Sequence, residues 1–297
     1  MLVTEPDQGL SAIYNLIASA KKSIDMTMYE LTDTAVTTAL GKAAAAGIAV
    51  RVILNESGIC KTTNTPAYNQ LEESKCGVHW ANPAYADTHQ KTITVDQTIS
   101  AIMTLNLTPA YYASSRDFAV ITNDETDAAA IETTFDADFK NAVITPPTGE
   151  NLVWSPTNAT SALAALINGA TKTLLISQEE FKDATMAAAV ESAAKRGVAV
   201  SLVQEYSDNE TAPMLPALKS AGVKIAVYTS KTGYYIHAKT VLADYGTPSA
   251  KLFVGSENFS TESLTENREL GLVLSDAACM AGVNAAISKD FTNGTPF

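Results

Sequence analysis

Four short segments of this chain occur twice, in the same order and at nearly one spacing. No other feature limits the possible folds as much. Leu2-Val3-Thr4-Glu5-Pro6 returns as Leu152-Val153-Trp154-Ser155-Pro156, and Ala20-Lys21-Lys22-Ser23-Ile24 as Ala170-Thr171-Lys172-Thr173-Leu174, both 150 positions later. Gly47-Ile48-Ala49-Val50 matches Gly197-Val198-Ala199-Val200 at 150, and Asp138-Phe139 matches Asp290-Phe291 at 152. Self-similarity at a fixed period marks a repeated structural unit. The 297 residues therefore divide at a seam near residues 148–151 into two copies of one unit, 1–150 and 151–297.

The copies share a pattern of elements. An amphipathic helix over residues 10–20 (161–170 in the second copy) leads to a strand over 23–29 (173–177). An alanine-rich helix over 35–46 (184–194) stops at Gly47 or Gly197, glycine being favoured just past a helix end. A short β-branched run over 48–54 (198–203) follows as a buried strand. Further strands are expected over 89–95 (237–243), 99–104 (251–254) and 118–122 (270–274). Helices alternating with such strands predict an α/β fold with much parallel pairing, two sheets forming one pseudo-twofold body.

Composition narrows the function. With 46% hydrophobic and 18% charged residues the chain has material for a large core. Its 20 Lys and Arg against 32 Asp and Glu give a net charge of −12, which excludes a dedicated duplex-DNA binder. No apolar run reaches the roughly 18–20 residues of a membrane-spanning helix. Residues 1–20 have no basic and apolar leader; because the regular pattern starts at once, a removed signal fits, and an exported location is favoured over a cytoplasmic one. Cys60, Cys76 and Cys279 form no C-x-x-C pair, which argues against zinc. Cys60 and Cys76 flank a polar, loop-like stretch, so either a local disulfide or three free thiols fits.

The chemistry-bearing residues lie in the repeated part. His89-Gln90-Lys91-Thr92-Ile93-Thr94-Val95-Asp96 and His237-Ala238-Lys239-Thr240-Val241-Leu242-Ala243-Asp244 both read H-x-K-x-x-x-x-D, 148 residues apart. On a strand, positions i and i+2 share a face, so each histidine is expected beside its lysine. Asp96 and Asp244 have the opposite parity and are expected to brace a turn. Thr104-x-Asn106 matches Ser256-x-Asn258, and Arg116-Asp117 matches Arg268-Glu269, all at 152. Arg116 and Arg268 are expected in salt bridges, and His79, outside the repeat, in a structural role. The first copy departs at Met103-Thr104, where the second has Gly255-Ser256, so fine geometry there is expected to differ.

Two H-x-K-x4-D motifs in register, each followed by the Asn and acidic positions, resemble the phospholipase D superfamily, and the likeness covers nearly the whole chain. It implies a tandem pseudo-twofold duplication of a phospholipase D-like α/β sandwich, with the active site at the seam between the halves. It also implies two-step cleavage or transfer of a phosphodiester through a phosphohistidine, without metal or other cofactor. By resemblance His89 is the nucleophile and His237 the general acid and base. Lys91, Lys239, Asn106 and Asn258, with the hydroxyls of Thr104 and Ser256, bind the phosphate. Asp117 and Glu269 hold histidine Nδ1–H groups. The resemblance favours pairing across the halves, Glu269 with His89 and Asp117 with His237, while spacing leaves the pairing open. Two lysines in one small volume predict a positive pocket within an acidic surface.

The superfamily implied includes phospholipases, transphosphatidylases such as cardiolipin synthases, and nucleases. A phospholipase D-type hydrolase or transferase acting on a phospholipid headgroup, monomeric and in transient contact with a membrane surface, is the first expectation. A nuclease for short or single-stranded nucleic acid and a non-catalytic phosphate-binding module are the alternatives.

Overall fold

The computed structural model describes residues 1–207 and 212–297. The first half runs β1 (Leu2–Glu5), α1 (Ser11–Ser19), β2 (Ser23–Met28), α2 (Thr34–Ala45), β3 (Ala49–Leu54), α3 (Cys60–Glu73), β4 (Gly77–Trp80), β5 (Thr92–Val95), β6 (Ile99–Met103), β7 (Ser115–Thr122) and α4 (Glu125–Asp138). The second runs β8 (Leu152–Ser155), α5 (Ala159–Gly169), β9 (Thr173–Gln178), α6 (Ala184–Lys195), β10 (Ala199–Glu205), α7 (Leu215–Ser220), β11 (Lys224–Tyr228), β12 (Tyr235–Ile236), β13 (Thr240–Ala243), β14 (Lys251–Gly255), α8 (Thr261–Thr265), β15 (Glu269–Leu274), α9 (Ala277–Asn293) and β16 (Thr295–Pro296).

Two eight-stranded sheets result, each mixed rather than mainly parallel. The first has the order β1-β7-β6-β5-β2-β3-β4, and β12 of the second half adds to β7; the second is β16-β11-β10-β9-β13-β14-β15-β8. Among the described residues, the named strands that pair in parallel within a half are those of the βαβ units β2-β3-β4 and β9-β10-β11. The strands on the motif side, β5-β6-β7 and β13-β14-β15, pair antiparallel.

The helix boundaries have local causes. Asp33 accepts from the N–H groups of Ala35 and Val36 at the start of α2, and Asp183 from that of Met186 in α6. Both helices end before a glycine at φ +91°, Gly47 and Gly197, a backbone state that a side chain disfavours. The stretch between Cys60 and Cys76 is not a loop. It forms α3, anchored by buried Asn64, whose side chain bonds Leu31 N, Tyr29 O and Asn55 O. This 14-residue helix, about 21 Å long, separates Cys60 at its start from Cys76 past its end, and all three cysteines are free.

Each sheet has an outer core against its own helices, built on Ile13, Val36 and Leu40 in the first half and on Leu163, Val190 and Leu215 in the second. A third core joins the halves: Ile102, Phe118 and Ile131 pack with Trp154, Leu242, Val254, Leu270 and Val283. The repeated arginines reinforce that joint. Arg116, fully buried, makes a bidentate pair with Asp290 of α9, and Arg268 does the same with Asp138 of α4. This explains why Asp138 and Asp290 recur. Asp96 and Asp244 accept the backbone N–H groups of residues 21–23 and 171–173, bracing the turns into β2 and β9 as expected. His79 stacks on Phe139 with ring centroids 4.1 Å apart, in keeping with a structural role.

Candidate active site

Backbone pairing across the halves places the two histidines. Their expected position on a strand is corrected: β5 begins at Thr92 and β13 at Thr240, and residues 89–91 and 237–239 are irregular. His89 N–H donates to Arg268 O at 2.9 Å, and His237 N–H to Arg116 O at 3.2 Å. The residue after each arginine then faces the imidazole. Glu269 Oε2 lies 2.8 Å from His89 Nδ1, and Asp117 Oδ1 lies 2.8 Å from His237 Nδ1. The pairing is thus the cross-half one. A carboxylate on Nδ1 fixes the tautomer and leaves Nε2 for chemistry.

Both histidines line a cavity of about 600 Å³ together with Asn106, Asn258, Asp117 and Glu269. Lys91 and Lys239 lie behind this lining, fully buried. Each Nζ donates to the carbonyl of its own histidine at 2.6 Å. Burial and the neighbouring Lys239 push the Lys91 ammonium down to about 7. Burial likewise lowers His89 from its ordinary value, against the pull of Glu269. Glu269 stays below the usual carboxylate range despite its burial, because His89 faces it and Ser263 Oγ donates at 2.6 Å.

Thr104 and Ser256 require a correction. Neither lines the cavity. Thr104 Oγ1 donates to Asp117 Oδ1 at 2.5 Å and accepts from Phe118 N–H, so it supports the acid rather than a phosphate. Ser256 Oγ bridges the backbone N–H and C=O of Leu270. The departure at Met103 has a steric basis. A Cβ at Gly255 would run into the Glu257 carboxylate and the Gly271 Cα, whereas the first half has Leu105 where the second has Glu257.

The pocket is not positive at its walls. Glu5, Glu30, Asp87, Glu179, Glu180 and Glu262 line it, and Lys182 is the one lysine of the lining among the described residues. Burial, with Asp117 adding to it, raises Glu5 to about 7. The cationic groups are thus beneath an acidic mouth. Sequence reasoning missed Glu179, whose carboxylate lies 2.7 Å from Lys239 Nζ. A signal was available: Glu179-Glu180 stands 150 positions after Tyr29-Glu30, just past a strand end of an α/β sheet, where ligand-binding residues collect. No cluster of three or more His, Cys, Asp or Glu able to hold a metal occurs among the described residues.

Comparison with known proteins bears on the same residues. The family described as cardiolipin synthase, PLD-like domain matches twice, over residues 13–139 and 163–292. No curated protein matches the chain. Polyphosphate kinase from Porphyromonas gingivalis superposes with a TM-score of 0.77 at 16% identity over 98% of this chain, which spans only 50% of that kinase. Phosphatidylserine synthase from Haemophilus influenzae gives a TM-score of 0.73 at 12% identity, covering 97% of this chain and 84% of that one. A phospholipase D family member, Nuc from Salmonella typhimurium, matches 49% of this chain at 18% identity and a TM-score of 0.43, covering 95% of its own. The likenesses to the kinase and the phosphatidylserine synthase establish a shared fold. The double family match, one copy for each half and its H-x-K motif, assigns the chain to the phospholipase D-like family.

Proposed function

We propose that the protein is a phospholipase D-type phosphodiesterase that hydrolyses or transfers phosphatidyl groups, with a zwitterionic phospholipid headgroup as substrate. The observation carrying this reading is an acidic mouth above a buried pair of His-Lys motifs. Such walls repel a polyanion at every residue of its length, which disfavours nucleic acid. A phosphodiester with a cationic alcohol suits them, its phosphate towards the buried lysines and its cation towards Glu5, Glu30 or Glu180. Tyr111 lines the cavity yet is 54% exposed, suiting contact with a lipid surface. Among the described residues no helix is long and apolar enough to cross a membrane.

In this reading His89, kept neutral by burial, attacks phosphorus through Nε2 while Glu269 holds its Nδ1–H. His237 has carboxylates at both ring nitrogens, Asp117 at 2.8 Å and Glu179 at 3.7 Å, an arrangement suited to the histidine that carries the proton. It gives that proton to the departing alcohol oxygen, then takes one from water or an acceptor alcohol that attacks the phosphohistidine. Lys91, Lys239, Asn106 and Asn258 are the donors for the non-bridging oxygens, where negative charge grows.

The test compares turnover of phosphatidylcholine vesicles with that of a short single-stranded oligonucleotide, in chelator-containing buffer with and without a primary alcohol. Lipid turnover, with alcohol captured if transfer competes with hydrolysis, is expected. Oligonucleotide cleavage alone would favour the nuclease, and no turnover by folded protein the binding module.

A further inference from the structure

The duplication places unlike side chains at equivalent positions beside the two lysines. In the first half this is Tyr29, whose ring meets His89 edge-on at 4.6 Å and lies 4.9 Å from the Lys91 ammonium. In the second half it is Glu179. Its Oε2 lies 2.7 Å from Lys239 Nζ, 3.1 Å from Asn258 Nδ2 and 3.7 Å from His237 Nε2. The hydroxyl of Tyr235 donates to its other oxygen, and Gln204 Nε2 holds its backbone carbonyl at 2.8 Å. Although burial opposes the charge, Lys239 and His237 hold this carboxyl well below the usual range. A fixed negative charge therefore sits against the donors that the second half offers to a phosphate.

We propose that Glu179 is a specificity-determining residue, a charge filter that admits a monoanionic phosphodiester and rejects a dianionic phosphomonoester. The inference rests on the phosphodiester reading above and adds a discrimination to it. Any phosphate in the site must share Lys239 and Asn258 with the Glu179 carboxylate or push it aside, and each negative charge on the ligand adds to the repulsion. A diester carries one charge. A monoester carries nearly two above its second pKa of about 6. Hydrolysis of a phosphodiester leaves a monoester, so the carboxylate that tolerates substrate disfavours the product. Selectivity through a built-in repulsive element is a common device of specific sites. With Tyr29 at the equivalent place beside Lys91, the filter acts from one side of the site only.

Dimethyl phosphate and methyl phosphate differ by one methyl group and about one charge near pH 8. Their binding to the whole chain is measured by titration calorimetry for wild type and Glu179→Gln. Wild type should prefer the diester. In Glu179→Gln the preference should shift towards methyl phosphate by about tenfold or more, equivalent to about 1.4 kcal/mol. Thermal unfolding of the variant confirms that it is folded, and Glu179→Ser is measured in the same way should the glutamine fail. A diester-to-monoester ratio that stays as in wild type overturns the filter, as does equal weakening of both ligands, which would make Glu179 a prop for Lys239. Failure of both anions to bind wild type would remove the phosphate-site reading itself, whereas binding without discrimination would remove only the role of Glu179.

Discussion

Glu269 Oε2 stands 2.8 Å from Nδ1 of His89, a residue 180 positions earlier in the chain and on the other half of the fold. The carbonyl of the preceding residue, Arg268, holds the backbone of the same histidine. Asp117 and Arg116 treat His237 in the same way. Each imidazole is thus oriented by two consecutive residues of the opposite half, and neither half can present a complete site alone.

Removing the carboxylate should leave the fold and spoil the chemistry. Glu269→Gln is expected to lower kcat by about 10²–10⁴-fold, the range for a positioned acid–base group, because the amide no longer fixes the Nδ1–H tautomer. Steady-state kinetics on an activated phosphodiester, with circular dichroism to check folding, tests this. A change of less than about threefold in kcat would reject the orienting role.

The two histidines should separate in a quench experiment. His89→Ala should form no phospho-enzyme. His237→Ala should still form the adduct from an ester whose leaving group hardly needs a proton, and resolve it slowly, because the base for the second step is gone. Mass spectrometry after rapid quench in alkaline denaturant, which preserves the acid-labile phosphohistidine, reads the adduct. An adduct in His89→Ala and none in His237→Ala would exchange the roles.

The buried arginine pairs carry structural weight. Arg268→Ala leaves Asp138 buried without its partner and should destabilise the protein by about 3–5 kcal/mol. The double variant Arg268→Met with Asp138→Leu should recover much of this, since apolar replacement of a whole buried pair is often neutral. Denaturant unfolding of the three proteins checks it, and a mild loss in Arg268→Ala would show that water reaches the pair.

Stability should depend on pH through Glu205, which burial raises to about 7 from 4.5 although Ile236 N–H donates to it at 3.1 Å. Below about pH 4.5 both states are protonated at this group. Between about 4.5 and 7 the folded state keeps the proton that the unfolded state releases, so stability falls as pH rises, by at most about 1.4 kcal/mol per unit. Glu205→Gln should flatten the dependence of unfolding free energy on pH in that window. An unchanged slope would mean that Glu205 is already ionised in the folded protein.

Covalent order determined the duplication, both H-x-K motifs, the Asn and acidic positions that follow them, and the helices that end at Gly47 and Gly197. These are repeats at a fixed offset, or patterns over a few neighbouring residues, and a linear string contains them whole. Other features depend on how the sheets meet. Asp117 could have served either histidine until β12 added to β7 and brought His237 beside it. Thr104 and Ser256 reproduce each other in sequence, yet side-chain directions in the packed sheets turn them to Asp117 and to the Leu270 backbone, away from the cavity. Helix α3 was hidden because Pro66 and a run of polar residues erase its apolar period, and its anchor is Asn64, which hydrogen-bonds to three backbone groups from other segments. Glu179 reads in sequence as one of two adjacent surface acids. Its place against Lys239, Asn258 and His237 was decided by tertiary structure alone, because the four residues come from three separate segments that meet only when the end of β9, the stretch before β13 and the turn after β14 converge.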